Sequence, residues 1–323
     1  MAEGRAVKST RILVRAALVV LALGLVSAGC GEPPASEAES PLRPDAAAAE
    51  GFDAGDFDSL AWAPGILDRE TGTYRLSIPR PDLVITVDGI QLASRTGLEG
   101  WAAFKPVPGG AVLTAELPLL VDEVNPVISA ALLHDLRVTS LHPHFSREEP
   151  RLSYLHLAGI DETDSLAVAL GAVLQTLEDV KGLPREPPAP VDPTATTFDP
   201  APVDSVLGIR GRMRQGAYEL TLPRSTRLEG FDLGGPSGIA TQVRFAGSVA
   251  RAAVHGSFAL QESELQPVLR ALRASGIEIA SIDAALVGEE PSLVFVHFWG
   301  RGRATDLARG IRDALDATAL ADD

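Results

Sequence analysis

Apolar residues recur with a period of two along some segments of the chain and with helical spacing along others. Alternation typical of strands covers six segments of the first half: Tyr74–Pro79, Leu83–Asp88, Trp101–Lys105, Ala111–Leu119, Leu136–Phe145 and Arg151–Ala158. Helical spacing groups the apolar residues around Val127 and around Leu170 on one face each. The order strand, helix, two strands, helix, with further strands in front, predicts an α+β domain. We expect a mixed or antiparallel sheet with helices on one face and a ferredoxin-like core.

The chain contains two copies of this pattern. The segment GTYRLSIPR at 72–80 matches GAYELTLPR at 216–224, and residues 123–177 align without a gap to 264–318 at a constant offset of 141. Fourteen of those 55 aligned positions are identical, and they include Pro, Gly and His residues. Two copies are too few for a solenoid, so the sequence predicts two tandem homologous domains.

Two segments that are poor in large apolar residues divide the chain. Residues 31–56 are rich in Pro, Ala and acidic residues, and residues 182–202 contain seven prolines. Neither segment can bury enough apolar surface to fold alone. We therefore expect folded repeats at 57–181 and 203–323, joined by an extended Pro-rich linker at 182–202.

The start of the chain resembles the export signal of a lipoprotein. Residues 1–29 combine a basic beginning with an apolar run, Ala16–Val26, that is too short to span a bilayer. Small residues then precede Cys30, and the segment resembles a lipobox in which Ser27 replaces the usual leucine. We expect a signal peptide at 1–29, a lipid on Cys30 and a disordered tether at 30–56. The body would then lie outside the cytoplasm, anchored to a membrane surface of the cell envelope. A plain secretory signal with an incidental cysteine is the alternative.

Charge, cysteine content and missing motifs exclude several classes of function. The chain has 28 Lys and Arg against 43 Asp and Glu, and this net charge of −15 repels phosphate backbones, so no nucleic-acid partner is expected. A single cysteine excludes an internal disulfide framework and a Cys-based zinc site. The motifs of common serine hydrolases, zinc peptidases and nucleotide-binding enzymes are missing. A non-enzymatic role is favoured, with an enzyme as the alternative.

Several segments resemble the LppY/LpqO family of bacterial lipoproteins. They are VITVDG (84–89), GLEGWAAF (97–104), EVNPVISAAL (123–132), VTSLHPHF (138–145), EEPRLSYLHLAG (148–159) and VHFWG (296–300). The resemblance covers both repeats and implies a duplicated, exported protein whose biochemical activity is unknown. The family pattern has Asn between two histidines where Pro143 stands here. It also tends to keep a His pair where the second repeat has Asp283-Ala284-Ala285.

The first repeat concentrates the histidines of the chain. Four of the six fall within the 23 residues 134–156. If Leu136–Phe145 is one regular strand, His142 and His144 point to the face that also carries Leu136 and Val138.

A turn after this strand would place a further histidine beside the pair. The pairing predicted from that turn sets His142 opposite Tyr154 and Ser140 opposite His156. Three imidazoles and a phenol would then share one patch of sheet, and a slip of one residue in register would separate them.

These residues indicate a metal or ligand site in the first repeat. Three imidazoles from His142, His144 and His156, with a carboxylate from Glu123 at the start of a helix, suit zinc or another divalent first-row metal. An open coordination position would also permit metal-dependent hydrolysis, with Glu123 as candidate base. Glu123 could instead complement the helix dipole without any ligand.

The leading hypothesis is a lipid-anchored envelope protein that binds a small ligand or a divalent metal through its first repeat. The alternatives are a hydrolase that uses the same histidines, and a non-catalytic docking module for an unidentified envelope partner, with the His pair solvated at a strand end. His156 has a counterpart, His297, in the second repeat, which favours a structural hydrogen bond for both. The second repeat has lost the His pair, so we expect it to be degenerate.

Overall fold

The computed structural model describes residues 65–93, 96–183 and 198–321, all within one compact unit. The predicted signal peptide, Cys30 and the tether lie outside the described residues, as do residues 184–197 of the predicted linker. The described end of that linker is not extended throughout, because a short helix begins at Ala201.

The first repeat has strands, a helix, further strands and a closing helix, in the predicted order. Its elements are β1 (Gly65–Asp68), β2 (Thr73–Pro79), β3 (Thr86–Val87), β4 (Ile90–Gln91), β5 (Glu99–Val107), β6 (Gly110–Leu120), α1 (Val121–Leu133), β7 (Arg137–His142), β8 (Glu148–Glu149), β9 (Leu152–Asp161) and α2 (Thr163–Val180).

The second repeat follows the same plan after one extra helix. Its elements are α3 (Ala201–Leu207), β10 (Arg212–Arg214), β11 (Ala217–Pro223), β12 (Thr226–Leu228), β13 (Phe231–Leu233), β14 (Ala240–Gly247), β15 (Ala252–Leu260), α4 (Glu262–Ala274), β16 (Glu278–Ala284), β17 (Val294–Gly302) and α5 (Ala304–Asp316).

Both repeats contribute to one continuous sheet of twelve strands. The strand order is β1-β2-β5-β6-β9-β7 in the first repeat and continues as β16-β17-β15-β14-β11-β10 in the second. The prediction of an α+β fold in two tandem domains is confirmed, and of the two predicted kinds of sheet, mixed or antiparallel, the chain forms the antiparallel one. In each copy a strand lies between the two strands that a helix connects, which is the split β-α-β arrangement of ferredoxin-like cores.

The helices cover one face of this sheet, as predicted. The inward residues of all five helices join a single hydrophobic core with alternate residues of the strands, such as Leu113, Leu155 and Val254. Among the described residues, no helix combines the length and the apolar character needed to cross a membrane.

Loops with small cores of their own cover parts of the opposite face. In the first repeat Leu83, Ile85 and Leu98 pack on Leu152 and Tyr154. The predicted strand Leu83–Asp88 is therefore mostly a loop, in which only Thr86–Val87 pairs with neighbours. We call the face away from the helices the open face.

The two repeats meet edge to edge through a narrow seam between β7 and β16. The strands pair at Leu141 and Ile282. On either side of that pair, side-chain amides replace strand partners. Gln266 of α4 bonds both backbone groups of Val138, at 3.0 and 2.8 Å. Asn125 of α1 bonds both backbone groups of Ile279, at 2.8 and 3.3 Å.

Candidate functional site

The pairing of β7 with β9 brings the predicted residues together. His142 lies opposite Tyr154 and Ser140 lies opposite His156, as predicted. The strand ends at His142 rather than at Phe145, so His144 belongs to the loop that follows. That loop folds back over the sheet and carries His144 onto the ring of Tyr154.

One feature of β7 was predicted wrongly. A β-bulge between Val138 and Ser140 adds one residue, Thr139, which reverses the alternation of side chains. Leu136 and Val138 therefore point into the helix-covered core, whereas His142 lies on the open face. The prediction that these residues share a face is wrong, although the pairing around His142 is right.

The three imidazoles form a compact cluster. The ring centres of His142 and His156 are 5.0 Å apart, and those of His142 and His144 are 5.2 Å apart, with interplanar angles below 30° in both pairs. One nitrogen from each histidine lies within 4.8 Å of the nitrogens of the other two. Within residues 65–93, 96–183 and 198–321, this is the one group of three or more His, Cys, Asp or Glu side chains with ligand atoms this close. We call it the histidine cluster.

A carboxylate that the sequence analysis missed lies beside the histidine cluster. Glu116 on β6 is the direct cross-strand neighbour of His156, and its Oε2 lies 3.5 Å from His156 Nε2. This buried nitrogen has no hydrogen-bond partner in the described part of the chain. The expected structural hydrogen bond is therefore not made by Nε2. A signal for Glu116 existed, because it is the one charged residue in the apolar strand AVLTAELPLL.

The surroundings favour the uncharged form of two imidazoles of the cluster, those of His144 and His156. Burial lowers the pKa of His156 and of His144, and this effect outweighs the opposing attraction of Glu116. The neighbouring His142 acts in the same direction as burial on both rings. Neutral imidazole retains the nitrogen lone pair that a metal ion requires.

Tyr154 stacks on the cluster but its hydroxyl is already engaged. Its ring lies parallel to that of His144, with the ring centres 3.3 Å apart. The hydroxyl donates a hydrogen bond of 2.6 Å to the carbonyl of Gly97. Burial raises the pKa of Tyr154 to about 12, and the charges of Glu116 and Glu148 add to this. The phenol therefore stays protonated and acts as a wall of the site.

Glu123 does not join the histidine cluster. Its carboxylate forms two hydrogen bonds with the buried guanidinium of Arg80, at 2.9 and 3.0 Å. It also accepts the backbone N–H of Leu120 at the start of α1. The prediction that Glu123 is the carboxylate beside the histidines is therefore wrong, and Glu116 lies there instead. Glu264 forms the equivalent ion pair with Arg224 in the second repeat.

The second repeat presents the same scaffold without the same chemistry. Its strands pair Ser281 with His297 and carry the same bulge, between Ile279 and Ser281. At the offset of 141, four positions around the histidine cluster differ between the repeats: Glu116 and Ser257, His142 and Asp283, His144 and Ala285, Tyr154 and Phe295. The histidines His156 and His297 and the serines opposite them, Ser140 and Ser281, are common to both sites.

Comparisons with known proteins show the family of the chain and little else. No curated protein matches it. A trimeric bacterial microcompartment shell protein, PduB, aligns over 76% of this chain and 88% of its own at 11% identity, and its TM-score of 0.19 carries no argument. The family model described as Domain of Unknown Function (DUF1259) matches twice, at residues 65–176 and 201–317. The chain therefore belongs to the DUF1259 family and carries two copies of its domain in tandem.

Proposed function

We propose that this chain binds a divalent first-row metal ion, with zinc as the main candidate, through the histidine cluster of its first repeat. The observation that carries the proposal is the convergence of His142, His144 and His156, with one nitrogen of each within 4.8 Å of the others. Three imidazoles with a nearby carboxylate are a donor set that zinc prefers.

Two further observations support a metal rather than a packed aromatic cluster. The Nε2 of His156 is buried without a hydrogen-bond partner in the described chain, which is costly unless a ligand satisfies it. The Glu116 carboxylate at 3.5 Å supplies negative charge beside that nitrogen. Carboxylates next to ligating histidines commonly orient the ring and raise its basicity.

A metal-dependent hydrolase is a weaker proposal for the same site. It needs a base near the ion, and the candidate Glu123 is held by Arg80 instead. We therefore place binding before catalysis. A docking module without a small-molecule site remains the third reading, and it is the one that survives if no metal binds.

We further propose that the protein is exported and held at a membrane surface of the cell envelope by a lipid on Cys30, as the resemblance to the LppY/LpqO lipoproteins suggests. The basic start, the short apolar run and the position of Cys30 support this proposal. The acidic body argues against nucleic acid as a partner.

The test is the metal content of the purified chain, produced without a histidine tag. We expect about one equivalent of zinc in the wild type and none in the double variant His142→Ala/His144→Ala, since even the loss of an outer-shell partner costs about 10–100-fold in affinity. The control His134→Ala/His255→Ala removes the same number of histidines, both exposed and outside the cluster, and should keep the metal. Equal, near-zero metal in all three proteins would contradict the proposal.

A further inference from the structure

The histidine cluster lies next to the seam between the repeats. At this seam Leu141 of β7 pairs antiparallel with Ile282 of β16, and Ser140 Oγ donates to the Ile282 carbonyl at 3.3 Å. Both Leu141 and Ile282 point into the helix-covered core. Side chains alternate along a strand, so the residues before and after Leu141, and those before and after Ile282, point to the open face.

The antiparallel pairing fixes which open-face residues meet across the seam. Extended by one residue to each side of Leu141 and Ile282, this register sets His142 opposite Ser281 and Ser140 opposite Asp283. Asp283 is thus the diagonal neighbour of His142, at about 7–8 Å between the backbones. It belongs to the second repeat but lies on the same patch of the open face as the histidine cluster.

The side chain of Asp283 is exposed and available. Its Oδ2 accepts a hydrogen bond of 3.1 Å from Ser281 Oγ. Within the described chain no Lys, Arg or His side chain forms an ion pair with it, unlike Glu123 and Glu264, which are held by buried arginines. Its carboxylate can therefore turn towards an ion at the histidine cluster without breaking an ion pair.

We infer that Asp283 supplies a carboxylate ligand to the metal ion of the first repeat, so that the two repeats build one composite site across the seam. This inference rests on the proposed function. Three histidines and one carboxylate complete a tetrahedral shell, and the Ser281 hydroxyl orients the carboxylate. Glu116 lies on the other side of the cluster, at His156, and there acts on a ligand rather than on the ion. The second repeat is then not degenerate but contributes the ligand that the first repeat lacks.

The test is a titration of the metal-free chain with Co²⁺, followed by the visible absorption of the bound ion. Asp283→Asn should weaken binding about tenfold and change the spectrum, because one ligand is lost. Asp283→His should bind as tightly as the wild type, since imidazole can replace the carboxylate, whereas a mere effect of charge would make it as weak as Asp283→Asn. The control Asp313→Asn removes a charge from α5, on the helix-covered side, and should change neither quantity.

The outcomes separate this inference from the proposed function. If Asp283→Asn binds Co²⁺ with the affinity and spectrum of the wild type, while His142→Ala/His144→Ala does not bind, only the inference is overturned. The same holds if Asp283→His is as weak as Asp283→Asn. A wild-type chain that binds no Co²⁺ overturns the proposed function and the inference together.

Discussion

The two repeats share their scaffold and differ at their open faces. The features kept in both copies hold the backbone: the buried Arg–Glu pair, the bulge in the strand at the seam, and the amide side chain that bonds the bulge of the other repeat. The side chains that differ between the copies lie in and around the histidine cluster. A residue kept in both copies is thus required by the fold, whereas one present in a single copy needs another explanation.

His156 and His297 show the limit of this rule. Both are kept, yet the direct partner on the neighbouring strand is Glu116 for His156 and Ser257 for His297. The same imidazole therefore meets a different environment in each copy. Identity between the repeats alone does not assign a structural role to a side chain whose neighbours have changed.

The largest expected difference between the repeats is the loss of stability when a buried Arg–Glu ion pair is broken. Replacement of Glu264 by Ala leaves the guanidinium of Arg224 buried without its carboxylate, which costs about 3–5 kcal/mol of the free energy of unfolding. Glu123→Ala should cost less, since Arg80 keeps Asp82 at 2.7 Å. Urea unfolding of the two variants measures the difference.

The control for these variants is Asp306→Ala, which removes the partner of Arg309 from an exposed pair on α5. Exposed pairs contribute little, so its free energy of unfolding should fall by no more than about 1 kcal/mol. A larger loss for Glu123→Ala than for Glu264→Ala would show that Asp82 does not compensate, and would contradict this account of the first repeat.

Removal of the amide side chains at the seam should destabilise the chain less, and by the same amount for either repeat. Gln266→Met and Asn125→Leu each remove an amide that bonds a strand N–H and carbonyl of the other repeat. Each substitution leaves a backbone N–H and a carbonyl without their partners and lowers the free energy of unfolding by about 1–3 kcal/mol. Because the contacts are related by the offset of 141, we expect similar losses, measured by urea unfolding.

The double variant sharpens this test. With both amides gone, the repeats are still joined by the pair Leu141 and Ile282, by the bond of Ser140 Oγ to the Ile282 carbonyl, and by Arg270 and Arg273 of α4, which bond α1 and the residues that follow it. We expect this weaker seam to let the repeats unfold in two separate transitions. The control Gln175→Met removes a glutamine whose hydrogen bond is local, to Asp179 on α2, and should leave a single transition. A cooperative double variant would show that the helices, not the amides, join the repeats.

The parts of the fold and of the site that could be predicted depend on residues that are close in the sequence. The two-residue period and the short turn after β7 were enough to pair His142 with Tyr154 and Ser140 with His156. The helix faces and the antiparallel α+β class followed from periodicity in the same way. Each of these needs only residues that are close in the sequence.

The parts that could not be predicted depend on distant segments. The bulge at Thr139 is stabilised by Gln266, 128 positions away in the chain, which bonds Val138 beside it. The position of Glu123 depends on Arg80, which lies 43 positions before it. An acidic residue in the first turn of a helix suits the dipole anywhere, so its sequence context could not reveal the buried partner.

The smallest effect concerns the wall of the histidine cluster. Tyr154→Phe gives the first repeat the residue of the second, Phe295, and removes the hydrogen bond to the Gly97 carbonyl. We expect a loss of about 0.5–1.5 kcal/mol in the free energy of unfolding at pH 8. The proposed metal affinity should not change, because the hydroxyl bonds the Gly97 carbonyl and is not among the candidate ligand atoms.

The pH dependence of that loss tests whether burial keeps the phenol of Tyr154 protonated. Burial raises the pKa of Tyr154 to about 12, above the value of about 10 for an unfolded tyrosine. The stabilisation by this group is therefore complete below pH 10 and is lost as the pH rises through about 12. Urea unfolding at pH 8 and pH 11 should show that the gap between the wild type and Tyr154→Phe narrows at the higher pH. Tyr218 is present in both proteins and cancels in the difference. A gap that stays constant would mean that Tyr154 ionises as readily in the folded chain as in the unfolded one, and would contradict its role as a protonated wall of the histidine cluster.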